Sequence, residues 1–351
     1  MKFILATAAA LVATTAASPL DRRATPLEAT LTQIDNTLVR VALTNTGSSA
    51  YNLLAGGTIL DDAPVDKLYV TGGNATATFV GITKRMSLQN LDADAFVTLE
   101  AGETIEKEIQ AAQIYDFPAS GIYEFLADGV FPYAEAGSTE LTGDALIFES
   151  NTLSLEIDAE AAAAVGDVVR LDKRTIIQSD CTGTRRTAVV NGLRNCATQA
   201  NAAASQAASG SATRFNTFFR TTASGTRNTV AARLRAVAGE CSSSTSGVSR
   251  TYCTDPYGYC TSNVLAYAVP SASNVNYCPA FYTLPAVTGS CFAQDQAGTV
   301  LHETTHLSAV YSPNTIDYAY GYAASTRLTA AQAVLNADSY TLFANAVSLG
   351  C

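Results

Sequence analysis

No cysteine precedes residue 181 in this 351-residue chain, yet eight follow: Cys181, Cys196, Cys241, Cys253, Cys260, Cys278, Cys291 and Cys351. An even number of cysteines in an exported protein reads as a disulfide framework, although spacing alone does not say which pairs form. There is no CxxC spacing, so a cysteine-based zinc site is not expected. The second half of the chain is thus a candidate for cross-linking, and the first half must hold together by burial alone.

Charge divides at the same place. Residues 1–174 carry 11 Lys+Arg against 24 Asp+Glu, whereas residues 175–351 carry 10 Arg, no Lys and 7 acids. Asp172-Lys173-Arg174 closes the acidic part with a dibasic pair, the kind that a processing protease of the secretory route cuts. At the N-terminus, Lys2, the apolar run Phe3 to Val12 and the small residues Ala16-Ala17-Ser18 read as a secretory signal. That run is shorter than the roughly 20 residues a membrane span needs. The expected organisation is a signal peptide (1–17), a propeptide (18–174) and a mature domain (175–351), with an extracellular, soluble and monomeric product.

The propeptide shows short apolar runs between turns: 29–34, 38–44, 67–70, 77–82, 95–99, 103–109, 121–125 and 153–157. Short β-branched strands at near-regular spacing predict an antiparallel, β-sandwich-like fold. Asn74-Ala75-Thr76 is a glycosylation sequon. The mature segment reads as mainly α with a small β element. Helices are expected over 185–208, around Phe215, Phe218 and Phe219, and around Val230, Leu234 and Val237. A β-hairpin is expected over 248–269 about the turn-rich Asp255-Pro256-Tyr257-Gly258-Tyr259. A long motif helix should run from near Cys291 to Ala309, and a last helix should follow the capping box Thr329-Ala330-Ala331-Gln332.

That motif helix carries Leu301-His302-Glu303-Thr304-Thr305-His306-Leu307. Residues four apart share a helical face, so His302 and His306 can offer two imidazoles to one metal ion while Glu303 reaches a water beside it. The chain has only two histidines, and both are here. A catalytic zinc usually takes three protein ligands and leaves a fourth position to water. No third histidine exists, and Glu303 is the last glutamate. An aspartate is left: Asp317 in the segment returning after Ser312-Pro313-Asn314, Asp338 further on, or an upstream acid among Asp180, Glu240, Asp255 and Asp295. Asp317 is preferred, and Asp338 is expected to support the site by hydrogen-bonding a ligand or a substrate group.

HETTH followed by Asn314-Thr315-Ile316-Asp317-Tyr318-Ala319-Tyr320-Gly321 resembles the deuterolysin family of zinc endopeptidases, the aspzincins, whose second motif reads Gly-Thr-x-Asp-x-x-Tyr-Gly. The resemblance covers the segment from about Thr175 to Cys351 and implies a zincin-like metalloprotease domain. It makes His302, His306 and Asp317 the ligands of one zinc ion, Glu303 the general base and Tyr320 the stabiliser of the oxyanion. It also implies the disulfides Cys181–Cys253, Cys260–Cys278 and Cys291–Cys351, which leaves Cys196 to pair with Cys241. Asn314 stands where the family has glycine, a turn position that asparagine tolerates.

The function implied is that of a secreted zinc endopeptidase hydrolysing peptide bonds in proteins, with a taste for basic proteins; lysine-directed cleavage is the runner-up within the class. A secreted, non-catalytic binding protein with a structural metal is the reading from another class. The partners expected are protein or peptide substrates and the chain's own propeptide, whose acidic surface would dock on the mildly basic mature part. The acidic balance and the lack of a basic cluster argue against nucleic acid.

Overall fold

The computed structural model describes residues 25–72, 75–165 and 177–351; the signal segment 1–17, Asn74 of the sequon and the Lys173-Arg174 pair lie outside them. In the first half the strand Leu38–Asn45 buries Val39, Val41 and Leu43 and leaves the alternate residues partly exposed, the period-two pattern of a strand with one face on a core. It lies between Leu27–Gln33 and Thr104–Gln110, antiparallel to both. A second antiparallel sheet is ordered Leu153–Ile157, Gly121–Leu126, Tyr69–Gly72. A third is ordered Leu141–Glu149, Asp128–Glu135, Tyr51–Leu54, Phe96–Leu99. Leu31, Val41, Leu53, Phe125, Phe131 and Phe148 from these sheets meet in one apolar cluster.

Strands 51–54, 128–135 and 141–149 are not legible in the sequence. Asn52, Pro132 and Gly143-Asp144 look like turn residues. In the structure Asn52 donates to Glu135 and Ser138 carbonyls, and the pairing register shifts just after Pro132. The run expected over 77–82 is a strand only at Thr78–Phe79, and a separate strand, Thr83–Met86, follows it.

The second half opens with three helices, Gly183–Ser209, Ala212–Phe219 and Ser224–Cys241. Buried Ala200, Ala203, Ala204 and Ala207 let the first pack closely on its neighbours. Gly192 sets its approach to the motif helix, for a Cβ there would stand 2.9 Å from Val300 Cγ2. The eight cysteines stand in four pairs at bonding distance: Cys181–Cys253, Cys196–Cys241, Cys260–Cys278 and Cys291–Cys351.

Three expectations need correction. The segment 248–269 is no hairpin. Arg250–Tyr252 runs parallel to Asn274–Tyr277, and it is Val264–Val269 that forms the antiparallel pair with that strand. The turn-rich stretch between them is instead folded on Asp255, whose carboxylate accepts from the amides of Gly258, Tyr259 and Cys260. The motif helix is shorter than expected, Gln296–Thr305, because Asp295 caps it by accepting from Gly298 N and His306 ends it. The final helix is broken into Ala330–Leu335, opened by the expected capping box, and Ala337–Leu349, with extended Asn336 between them.

The two halves of the chain also pack against each other. Thr83–Met86 from the first half joins the sheet of the second, pairing antiparallel with Val264–Val269. Val65, Ile82 and Met86 share an apolar cluster with Val264, Tyr267, Val269 and Tyr320, and Val130 and Ala145 share another with Ala319, Ala324, Leu328 and Ala333. At this contact basic Arg85 of the acidic half pairs with Asp338 of the other.

Candidate metal centre

The helix Gln296–Thr305 presents His302 and, at its C-cap, His306 on one face, with ring centroids 4.9 Å apart. Asp317 is brought to them by a short return of chain. Thr315 N donates to Thr305 O, Ile316 N donates to Leu335 O, and Ala337 N donates to Ile316 O. The last two bonds use the break in the final helix: Asn336 leaves the backbone free there, and its side chain accepts from Ala319 N. Asn314 does not take the left-handed conformation, so its replacement of glycine carries no strain.

His302 Nε2 lies 3.1 Å from Asp317 Oδ1, and His306 Nε2 lies 3.4 Å from Asp317 Oδ2. The three residues offer donor atoms all within 4.8 Å of one another, and they are the one such group among the described residues. Asp180, Glu240, Asp255 and Asp295, the upstream alternatives, are spent elsewhere. Asp180 accepts from Cys253 N, Glu240 from Val248 N and Ser249 N, Asp255 from its own turn, and Asp295 from Thr288 N and Gly298 N.

The opposite edges of both rings are fixed. His302 Nδ1 is 3.0 Å from Asp338 Oδ1, and His306 Nδ1 is 2.9 Å from Thr315 O. Thr315 O can only accept, so the His306 ring donates backwards and turns the lone pair of Nε2 into the site; Asp338 asks the same of His302. Asp338 sits in the first turn of Ala337–Leu349 and also accepts from Gly321 N at 2.6 Å, so one carboxylate orients His302 and the end of the Tyr320 segment.

His302 Nε2, His306 Nε2 and both oxygens of Asp317 and Glu303 are buried without a hydrogen-bond partner. Leaving such atoms unpaired costs about 1–3 kcal/mol each, so a cluster of them calls for an ion. Two imidazoles and a carboxylate suit zinc and leave a position open. Burial, reinforced by the Arg85 guanidinium, pushes His302 down to about 3 against the pull of Asp317. His306 is held above its usual value because Asp317, Glu303 and Thr315 outweigh its burial. Asp317 is held well below the carboxylate range: burial opposes this, but the two histidines outweigh it. Burial raises Glu303 to about 8, with His306 and Arg85 opposing and Asp317 adding. Tyr320 is pushed well above 10, first by burial and then by Asp317, so its hydroxyl remains a donor.

The sequence of the whole chain, residues 1–351, matches the deuterolysin metalloprotease (M35) family. The chain belongs to that family. It is 47% identical over 316 residues to a neutral protease 2 homolog of Botryotinia fuckeliana (strain B05.10), covering 89% of each chain. It is 50% identical over 317 residues to one of Phaeosphaeria nodorum, covering 89% of this chain and 88% of that one. Like other deuterolysins it is a metalloendopeptidase, and the family implies a zinc cofactor.

Sequence reasoning missed four residues around this deuterolysin centre. Arg85 and Lys84 come from the first half, where two adjacent cations read as surface. Arg85 Nη1 lies 2.9 Å from His302 Nδ1 and pairs with Asp338; Lys84 Nζ lies 2.9 Å from Asp61 Oδ2. Asn336 lay unseen inside an apparently continuous helix. Arg233, on the helix Ser224–Cys241, is fully buried and donates to Pro313 O and Val334 O, pinning the chain on either side of Asp317.

Proposed function

We propose that this chain is a secreted preproenzyme whose mature part, residues 175–351, hydrolyses peptide bonds in proteins with one zinc ion held by His302, His306 and Asp317. The observation that carries the reading is the set of orphaned, buried Nε2 and carboxylate oxygens that face one another there. When bound, the ion supplies Lewis acidity to a peptide carbonyl and to a water. The other roles fall to side chains. Glu303, buried with neither carboxylate oxygen hydrogen-bonded, takes the proton of the attacking water and hands it to the departing amine. Tyr320 Oη donates to the carbonyl oxygen as negative charge develops on it. Asp338 and Thr315 hold the two imidazoles in the tautomer that leaves Nε2 free.

Export is supported by the four cysteine pairs, since such bridges persist in oxidising compartments. Among the described residues no helix is long and apolar enough to cross a membrane. Residues 18–174 act as the propeptide, removed after Lys173-Arg174, and the product works as a monomer. A preference for basic proteins is supported by Asp338, whose carboxylate receives a guanidinium at the heart of the site. Purified protein cut after Arg174 should hold one zinc per chain and lose it in Asp317→Ala. Mapping of casein fragments would then show whether Lys or Arg flanks the cuts. A cut chain that hydrolyses casein without any transition metal would overturn the assignment.

A further inference from the structure

The strand Thr83–Met86 lies where a peptide would have to lie to reach this centre. Without it Val264–Val269 would be an edge strand, free on the side facing the metal site, since its other side is taken by Asn274–Tyr277. An open edge takes an extended peptide through main-chain bonds. Thr83–Met86 uses that edge, antiparallel, with Lys84 opposite Tyr267 and Arg85 opposite Ala266.

Its backbone also meets the reacting groups. Tyr320 Oη donates to the carbonyl oxygen of Lys84 at 2.7 Å, the bond that the proposed mechanism asks of it toward a substrate carbonyl. The next side chain, Arg85, runs inward to Asp338 and His302 and is 3% exposed. On the other side Lys84 is tied by Asp61 to the first half of the chain. Gly57, at φ +72°, closes over the tyrosine; a Cβ there would stand 2.2 Å from Tyr320 Oη. With these residues in place His302, Glu303 and His306 are 0% exposed. The cavity left beside Asp317 and Tyr320 holds about 60 Å³, far below the roughly 300–1,000 Å³ of ordinary ligand sites.

We propose that Thr83–Met86 is a built-in pseudo-substrate: it fills the peptide groove along Val264–Val269 with the Lys84–Arg85 peptide at the catalytic centre, and so keeps the uncut chain silent. This rests on the peptidase reading above. The inhibition belongs to a short strand and its two basic residues, not to the net charge of the acidic half. Cutting after Arg174 frees the groove only when the strand leaves it.

The test compares three forms of the protein: the full chain kept uncut by Lys173→Ala and Arg174→Ala, that chain with Thr83→Gly, Lys84→Ser, Arg85→Gly and Met86→Ser, and the chain cut after Arg174 and purified away from its released first half. A tethered strand acts at an effective concentration of order 1 mM, so an intrinsic affinity of about 10 µM lowers kcat/KM on a fluorogenic peptide by about 100-fold. The loss should appear in KM, as expected of competition for the groove, and the four-residue replacement should remove it. Arg85→Ala alone, a milder change, should recover part of it. Amide exchange at Val264–Val269 gives a reading independent of activity, and should quicken at least about tenfold when the strand is replaced, 1.4 kcal/mol corresponding to a factor of ten. Equal rates for uncut and cut chains, or exchange at 264–269 indifferent to the replacement, would overturn the inference. A silent cut chain instead counts against the peptidase reading, and the exchange result still decides the place of the strand.

Discussion

Asp338 Oδ1 lies 3.0 Å from His302 Nδ1, on the edge of the ring opposite the Nε2 that faces Asp317. One turn of the last helix thereby fixes the orientation of a residue on the motif helix, and through Gly321 N the same carboxylate steadies the chain beside Tyr320. Asp338→Asn keeps an oxygen for Gly321 but loses the charge behind the imidazole. Zinc affinity measured by competition with a chelator should weaken about 10–100-fold. Unchanged affinity would show that the carboxylate does not support the ligand.

Glu303 is buried with neither oxygen hydrogen-bonded, and the role proposed for it is to move a proton. In the cut chain Glu303→Gln should retain zinc and lose about 10²–10⁴-fold in kcat. Tyr320→Phe should also retain zinc and lose about 10²–10³-fold. Metal content alongside single-turnover rates separates these roles; full turnover by Glu303→Gln would contradict the assignment.

Arg233 donates at 2.6 Å to both Pro313 O and Val334 O and stacks against Tyr311 and Tyr340, 5.0 and 4.9 Å from the ring centroids. Truncation to alanine removes the Arg233 bond to the part-buried Pro313 O, at about 1–3 kcal/mol, while Val334 O keeps Tyr340 Oη as a donor. Arg233→Ala should therefore lose roughly 1–3 kcal/mol in urea unfolding, with zinc released at a lower urea concentration than in the parent. A loss below 1 kcal/mol, about what a surface change costs, would refute the pinning role.

Asp255 accepts from three backbone amides and from Tyr267 Oη at 2.7 Å, and these bonds, against the opposing effect of burial, hold its carboxyl below the usual range. A depressed folded-state value means that its contribution is complete above the unfolded value of about 3.9 and is lost as pH falls through the folded one. Asp255→Asn should thus lower Tm at pH 6, and the gap to the parent should close as pH falls below about 4. A gap that stays constant from pH 6 to pH 2.5 would remove the carboxylate from the account.

The centre was legible in the sequence to an unusual degree because its chemistry is local. His302, Glu303 and His306 lie within one helical turn, and a chain with no other histidine leaves few candidates. The capping box at Thr329 and the alternation of Leu38–Asn45 were equally readable, each being set by contacts within a few residues. The shape of the last helix was not. Leu335, Asn336 and Ala337 read as continuous helix until Ile316 claims the backbone groups on both sides of Asn336. The hairpin expected at 248–269 failed for a like reason: the strand that lies between its two arms arrives later in the chain.

The sequence by itself determined the candidate donor set, the strand-rich and helix-rich halves and the place where charge and cysteine content change, because periodicity and residue chemistry are properties of short segments. Only the tertiary structure decided that Thr83-Lys84-Arg85-Met86 is buried against Tyr320 and Asp338. Two adjacent cations are expensive to desolvate and read as surface. They become interior only when Asp61 and Asp338, one near in sequence and one 253 residues away, supply their counter-charges, and no local pattern reports a partner at that distance.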